Sequence, residues 1–203
     1  MKSFSLLFCL IIGITNVPAQ SGLFNVREIK IEKTYDELRG VLSNHVSVLD
    51  VMISQLNLQG VELSRVPLMN KDSLDMSDGD HMLIARTAEA MAAAYDGVII
   101  VHGTDRLQRS GDQTVALMPD PPVPVVFTGA MKPYELRTTD AVQNLTESLL
   151  AVQLLTPGVY VAMHNRVLQF PGVIKDTRRG RFVYAHELAL QTDGPQPTNE
   201  APS

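Results

Sequence analysis

The stretch Gly97-Val98-Ile99-Ile100-Val101-His102-Gly103-Thr104-Asp105 changes character at one point. An apolar run gives way within four residues to an imidazole, a glycine, a hydroxyl and a carboxylate. The β-formers Val98 to Val101 suit a strand covered on both faces, as in a parallel sheet. Ligands of open α/β sheets bind beyond the carboxyl ends of the strands, where Thr104 and Asp105 would stand. A second run, Pro124-Val125-Val126-Phe127, ends the same way in Thr128-Gly129-Ala130-Met131. Two such endings predict a site made from adjacent strand ends.

Working outward, Val46, Leu49, Val51, Met52 and Leu56 fit a helix with an apolar stripe, and Val61 to Val66 fits a short strand. Leu38 to Ser43 reads as an exposed loop, as does Asn70 to Met76. Ser77 is placed to cap a helix, with Asp78 and Asp80 in its first turn; the helix is expected to run to about Tyr95. Residues 106 to 118 read as a helix interrupted at Gly111. Asp140 is placed to cap another helix, whose Val142, Leu145, Leu149 and Val152 recur at helical spacing. Pro157-Gly158 stops it, and Gly158 to Met163 is another strand. From Leu190 the chain is rich in Pro, Gly, Asn and Thr and reads as a disordered tail. Alternating strands and helices predict an α/β fold, a doubly wound, mostly parallel sheet flanked by helices, over residues 31–190. Residues 21–30 are an atypical linker or strand, and 191–203 the tail.

The chain has 203 residues, enough to bury a sizeable core in one domain. Its net charge of −5 argues against nucleic-acid partners, whose non-specific binding is driven by Lys and Arg. Arg178, Arg179 and Arg181 read as a solvated loop. The first twenty residues look like a secretory signal: Lys2, an apolar stretch from Leu6 to Ile12, then Val17-Pro18-Ala19. That stretch is too short to span a bilayer. Its removal would take away Cys9, the one cysteine, and move the charge from −5 to −6 by loss of Lys2. A genuine signal implies a secreted or periplasmic protein with no membrane contact after processing; otherwise the chain is cytoplasmic.

His45, His81, His102, His164 and His186 lack metal-ligand spacing, so no metal is expected. Gly103 and Gly129 do not form a phosphate-binding fingerprint. Asn144-Leu145-Thr146 matches a glycosylation acceptor but falls within the predicted amphipathic helix. On local sequence alone, Thr104-Asp105 reads as the cap of the helix that follows.

The order and spacing of several motifs alter that reading. His102-Gly103-Thr104-Asp105, Thr128-Gly129-Ala130-Met131-Lys132-Pro133, Asp140 with Asn144, and Val173-Ile174-Lys175 resemble the bacterial-type L-asparaginases. So do Asp72-Ser73-Leu74-Asp75-Met76 and the segment from Pro157 to Met163. The match is best to the short form consisting of the N-terminal asparaginase domain. The resemblance implies an amidohydrolase that converts asparagine, or glutamine, to the acid and ammonia with threonine nucleophiles and no cofactor. Thr104, Asp105 and Lys175 would form a Thr-Lys-Asp group. The lysine, when neutral, assists proton transfer from a hydroxyl that is a poor nucleophile on its own. Ser73 would receive the substrate α-carboxylate and Asp105 the α-ammonium. The Thr104 and Ala130 N–H groups would face the developing oxyanion, Tyr35 would belong to a lid, and His102 would support its loop. A homo-oligomer is implied as well.

One departure matters. Family members open on an apolar strand leading into Thr-Gly-Gly-Thr-Ile, whose last threonine is the first nucleophile. Here Arg27-Glu28-Ile29-Lys30 occupies that place, and Lys30 stands where the nucleophile belongs. Three explanations stay open: the nucleophile is lost, Thr34 substitutes for it, or the start of this sequence is a gene-prediction artefact. Residues 22 to 32 would also have to supply the first, central strand, yet Val26 to Ile31 alternates apolar with charged residues and suits a strand exposed on one side.

Overall fold

The structure, a computed structural model, describes residues 8–16, 35–36, 41–42 and 48–192. It divides into two compact units, residues 16–62 and the remainder of the chain. In the smaller unit, β2 (Tyr35–Asp36) pairs with β3 (Val41–Leu42) in an antiparallel ladder, and α1 (Val48–Ser54) buries Leu49, Met52 and Ile53. The exposed loop expected over Leu38 to Ser43 thus contains a short strand.

The larger unit is built on a mixed, mostly parallel six-stranded sheet in the order β4-β1-β5-β6-β7-β8. These are β1 (Phe8–Asn16), β4 (Val61–Asn70), β5 (Gly97–Val101), β6 (Pro124–Thr128), β7 (Gly158–Met163) and β8 (Arg166–Gln169). Strands β5, β6 and β7 run parallel, with Val101 beside Thr128 and Phe127 beside Val161. Their connections are α3 (Leu107–Leu117) and α4 (Ala141–Leu154), while α2 (Asp78–Ala92) precedes β5. A separate ribbon of β9 (Val173–Asp176) and β10 (Arg181–Tyr184) leads into α5 (Ala185–Thr192). Residues 190 to 192, expected to belong to a tail, therefore close a helix; those beyond lie outside the described residues.

The sheet is covered on both faces, which is why its strands read as unbroken apolar runs. Alternate residues Ile11, Val98, Ile100, Val125, Phe127, Val159 and Val161 form one core with Ile84, Ala88 and Met91 of α2 and Leu107 of α3. The intervening residues Ile12, Ile99, Val126 and Tyr160 are equally buried. They point to the face covered by α4, which packs on β5, β6 and β7 through Leu145, Leu149 and Val152.

Helix starts follow the sequence in one case and not in another. Ser77 caps α2 in a full capping box, its Oγ accepting from the Asp80 N–H while Asp80 accepts from the Ser77 N–H. Lys71 also donates to Asp80 at 2.7 Å, and this hydrogen bond leads the causes that lower the Asp80 carboxyl to about 2. Asp140, by contrast, makes no side-chain cap bond to α4; its carboxylate is used elsewhere. Helix α3 runs through Gly111 without a break, and the Phe170 ring occupies the space a β-carbon there would need, 2.3 Å from it, which accounts for a glycine inside the helix. Strands β7 and β8 form a hairpin turned by His164 and Asn165, whose φ values of 55° and 57° are those a two-residue turn requires.

The neighbour of β5 corrects an expectation. That place is expected of residues 22 to 32, which lie outside the described residues. It is filled by Phe8–Asn16, the run that reads as the core of a secretory signal. A signal core and a strand buried on both faces share one pattern, an uninterrupted apolar stretch, and periodicity cannot separate them. Strand β1 is antiparallel to β5, with Leu10 beside Val101 and Ile14 beside Gly97. Cys9 is buried in it, and burial pushes its thiol up to about 12, leaving it unreactive. Cleavage after Ala19 would take this strand out of the sheet.

Ile11 is fully buried in the core, so Ile11→Ala should cost about 2–5 kcal/mol in urea unfolding of the full chain. A change within about 0.5 kcal/mol, the range of surface positions, would mean that β1 does not hold the sheet together.

Candidate active site

Because β5 and β6 are parallel and in register, their carboxyl ends emerge side by side. The His102 N–H donates to the Thr128 carbonyl at 2.8 Å, extending the ladder one step beyond the strands. Gly129 then passes so close to the His102 carbonyl oxygen that a β-carbon would lie 2.2 Å from it. Any larger residue at 129 would force the two loops apart. Thr104 Cγ2 lines the same gap, 3.3 Å from that position.

Thr104 and Asp105 do not cap the helix that follows: the residue at the N-cap of α3 is Arg106, which makes no side-chain cap bond. Both are turned instead toward Lys175 on β9. The Lys175 ammonium donates to Thr104 Oγ1 at 2.8 Å and to Asp105 Oδ1 at 2.6 Å, joining residues about seventy positions apart. Thr104 is 6% exposed and the Lys175 side chain 15%, whereas the Asp105 side chain is 47% exposed. Hydroxyl and ammonium are thus largely shielded, and the carboxylate has a face open to a ligand. A charge-assisted donor on Oγ1 stabilises negative charge developing there.

Two carbonyls flanking this group are held from behind. His102 Nδ1 lies 2.7 Å from the Gly103 carbonyl oxygen. A carbonyl only accepts, so Nδ1 carries the proton. Asn144, fully buried on α4, donates through Nδ2 to the Gly129 carbonyl at 2.8 Å. In a trans peptide the C=O and the following N–H point in opposite directions. The Thr104 and Ala130 N–H groups therefore point away from His102 and Asn144 respectively. These are the two donors that the resemblance assigns to an oxyanion.

The rest of the β6 loop is fastened by Asp140. Its carboxylate accepts from the Met131 and Lys132 N–H groups at 3.0 and 2.9 Å, from Asn144 Nδ2 at 2.7 Å and from His164 Nε2 at 2.7 Å. Burial pushes the Asp140 carboxyl up, but these donors outweigh it and hold it below the usual range. The Asn144 side chain is fully engaged in this cluster and is 0% exposed, so it is closed to glycosylation.

Ser73, the expected carboxylate receptor, lies buried in the 3-10 turn Ser73–Asp75, which Asp72 caps by accepting from the Leu74 N–H at 2.9 Å. Arg106 ties this turn to the Thr104 loop, donating to the Met76 carbonyl at 2.8 Å. Tyr35 lies in β2 of the smaller unit. Lys30 and Thr34 lie outside the described residues. Arg178 and Arg179 are exposed in the turn between β9 and β10, Arg179 pairing with the buried Asp176 at 3.4 Å, whereas Arg181 belongs to β10. No cluster of potential metal ligands occurs among the described residues. Sequence reading gives no role to His164, His81 or Ser110, because none belongs to a local motif and each matters only through a partner distant in the chain.

His102 is fully buried, and burial lowers its imidazole from an ordinary 6.5 to about 4. Between those values the unfolded chain binds the proton and the folded chain does not. Stability from this group is complete above pH 6.5 and is lost as pH falls toward 4, at up to about 1.4 kcal/mol per pH unit. His102 ring resonances should accordingly remain those of a neutral imidazole at pH 5.5; titration near 6.5 would show that the ring is not enclosed.

Comparison with known proteins bears on this geometry. The family described as asparaginase, N-terminal, matches residues 30–180. The L-asparaginase of Thermococcus kodakarensis is 32% identical over 109 residues, covering 54% of this chain and 33% of that protein. A component of the glutamyl-tRNA(Gln) amidotransferase of Haloquadratum walsbyi is 39% identical over 82 residues, covering 40% of this chain and 18% of that protein. The solved structure of a probable cytoplasmic L-asparaginase from Campylobacter jejuni is 32% identical, covers 53% of this chain and 34% of its own, and superposes with a TM-score of 0.46. This chain thus spans about a third or less of the length of these relatives. With three quarters of its residues matched by that one family, the chain belongs to the asparaginase family, through its N-terminal domain.

Proposed function

We propose that this chain is an L-asparaginase-like amidohydrolase, hydrolysing the side-chain amide of L-asparagine to L-aspartate and ammonia by threonine chemistry. The observation that carries the reading is the contact of Lys175 Nζ with both Thr104 Oγ1 and Asp105 Oδ1. In its neutral form Lys175 takes the Thr104 proton as Oγ1 attacks the amide carbon, and Asp105 stabilises the ammonium that results. The displaced electron pair goes to the carbonyl oxygen, toward the Thr104 and Ala130 N–H groups. Collapse returns the pair and expels the nitrogen, which leaves as ammonia with the proton held by Lys175. Water then cleaves the threonyl ester to release aspartate and restore the hydroxyl. Ser73 is the proposed partner of the α-carboxylate, and the open face of Asp105 that of the α-ammonium.

A second reading, a catalytically silent domain that binds asparagine or aspartate, has its own observation. Lys30 stands at the family's nucleophile position. In addition, β1 runs antiparallel to β5, so the chain leaves it beside Gly97, at the end of the sheet opposite Thr104.

Ammonia release from asparagine and from glutamine, with calorimetric titration of aspartate, separates the readings. The enzyme reading predicts turnover that Thr104→Val and Lys175→Met each reduce about 100-fold or more, as expected when members of one reacting unit are removed. Aspartate binding with no turnover by folded protein selects the silent domain. Neither binding nor turnover rejects both.

A further inference from the structure

Behind the Thr104 loop lies a buried chain of polar groups that the proposed reaction does not use. His81 on α2 and Ser110 on α3 are almost fully enclosed, as is His102. His81 Nδ1 lies 2.7 Å from Ser110 Oγ, and Ser110 Oγ lies 2.8 Å from His102 Nε2. The two imidazoles are stacked, with centroids 6.2 Å apart and planes inclined by 13°. His102 Nδ1 completes the line at the Gly103 carbonyl.

Only one arrangement of protons makes all three hydrogen bonds of the line with neutral rings. The Gly103 carbonyl accepts, so His102 Nδ1 is protonated and its Nε2 bears a lone pair. Ser110 must then donate its hydroxyl proton to Nε2, and its oxygen must accept from His81 Nδ1–H. His81 Nε2 is left as the acceptor, and it is the one buried ring nitrogen without a partner among the described residues. The line therefore has a fixed direction, from α2 through α3 to the loop.

We propose that His81 and Ser110 are positioning residues: they hold His102 in its Nδ1–H tautomer, which pins the Gly103 carbonyl and so turns the Thr104 N–H away from the ring. The inference that this orientation serves catalysis rests on the amidohydrolase reading above; the proton arrangement itself does not. Without the Ser110 hydroxyl, His102 Nε2 has a buried lone pair and no donor, and the alternative tautomer becomes accessible. That tautomer places a bare Nδ1 against the carbonyl oxygen, lone pair to lone pair, and the Gly103–Thr104 peptide must rotate to relieve it. Asparagine at 81 offers an amide N–H close to where Nδ1–H stands, whereas leucine offers none.

The test is nitrogen-15 NMR of the histidine-labelled full chain, read on the wild type, Ser110→Ala, His81→Leu and His81→Asn. The expected wild-type pattern is His102 protonated at Nδ1 and bare at Nε2. Ser110→Ala and His81→Leu should move His102 toward mixed tautomers and shift the Thr104 amide resonance, and His81→Asn should restore both. Where asparagine is turned over, kcat should fall about tenfold in His81→Leu with KM little changed, since a displaced donor acts on the transition state. Wild-type protein with His102 protonated at Nε2 would overturn the proposal without recourse to any variant. So would folded His81→Leu and Ser110→Ala proteins with unchanged tautomer and Thr104 amide. Absence of turnover with the predicted NMR pattern would count against the amidohydrolase reading and leave the proton arrangement supported.

Discussion

The close approach of two strand ends is the constraint on which the site depends. A glycine at 129 lets the loop after β6 pass against the His102 carbonyl, and the His102 N–H closes the seam by donating to Thr128. Everything chemical is arranged around that seam. Thr104 is presented on one side and the Ala130 N–H on the other. Each preceding carbonyl is held from beneath by a fully buried side chain, His102 from one strand end and Asn144 from α4. The parallel pairing of β5 with β6 supplies the seam because the two strands end together; an antiparallel or offset pairing of these two would separate the loops.

The polar groups below the seam are buried at a cost that only full hydrogen bonding offsets. Asp140 illustrates the balance: burial alone would favour its neutral form, yet four donors keep it ionised, and each of them belongs to an element of the site. Its hydrogen bonds to the Met131 and Lys132 N–H groups fix the backbone of the β6 loop from within the protein. His164 reaches Asp140 from the β7–β8 turn, so the third parallel strand also contributes to the same loop.

The sheet and the triad differ in how readable they are. Val98 to Val101 and Pro124 to Thr128 announce buried parallel strands by their unbroken apolar character, and Ser77 with Asp80 announces α2 by a cap whose chemistry is local. Thr104, Asp105 and Lys175 become visible only through the order of several short motifs, since no local pattern tells that a lysine on a late ribbon will reach a threonine after β5. Asp140 looks like a cap because an Asp before an apolar periodicity usually is one; tertiary donors claim its carboxylate instead. The first strand is the most instructive. Phe8 to Ile12, part of the stretch that reads as a secretory signal, suits a doubly buried strand equally well, and the fold uses it as the strand beside β5. The direction of that strand is not written in its composition at all.

A crystal structure of the chain with L-aspartate is the most direct test, because both proposed readings, turnover of the amide and binding alone, place the amino acid in this site. The expected result is the side-chain carboxylate at Thr104 Oγ1, within reach of the Thr104 and Ala130 N–H groups, with the α-ammonium on Asp105. Aspartate bound at saturation without touching Thr104 would contradict it.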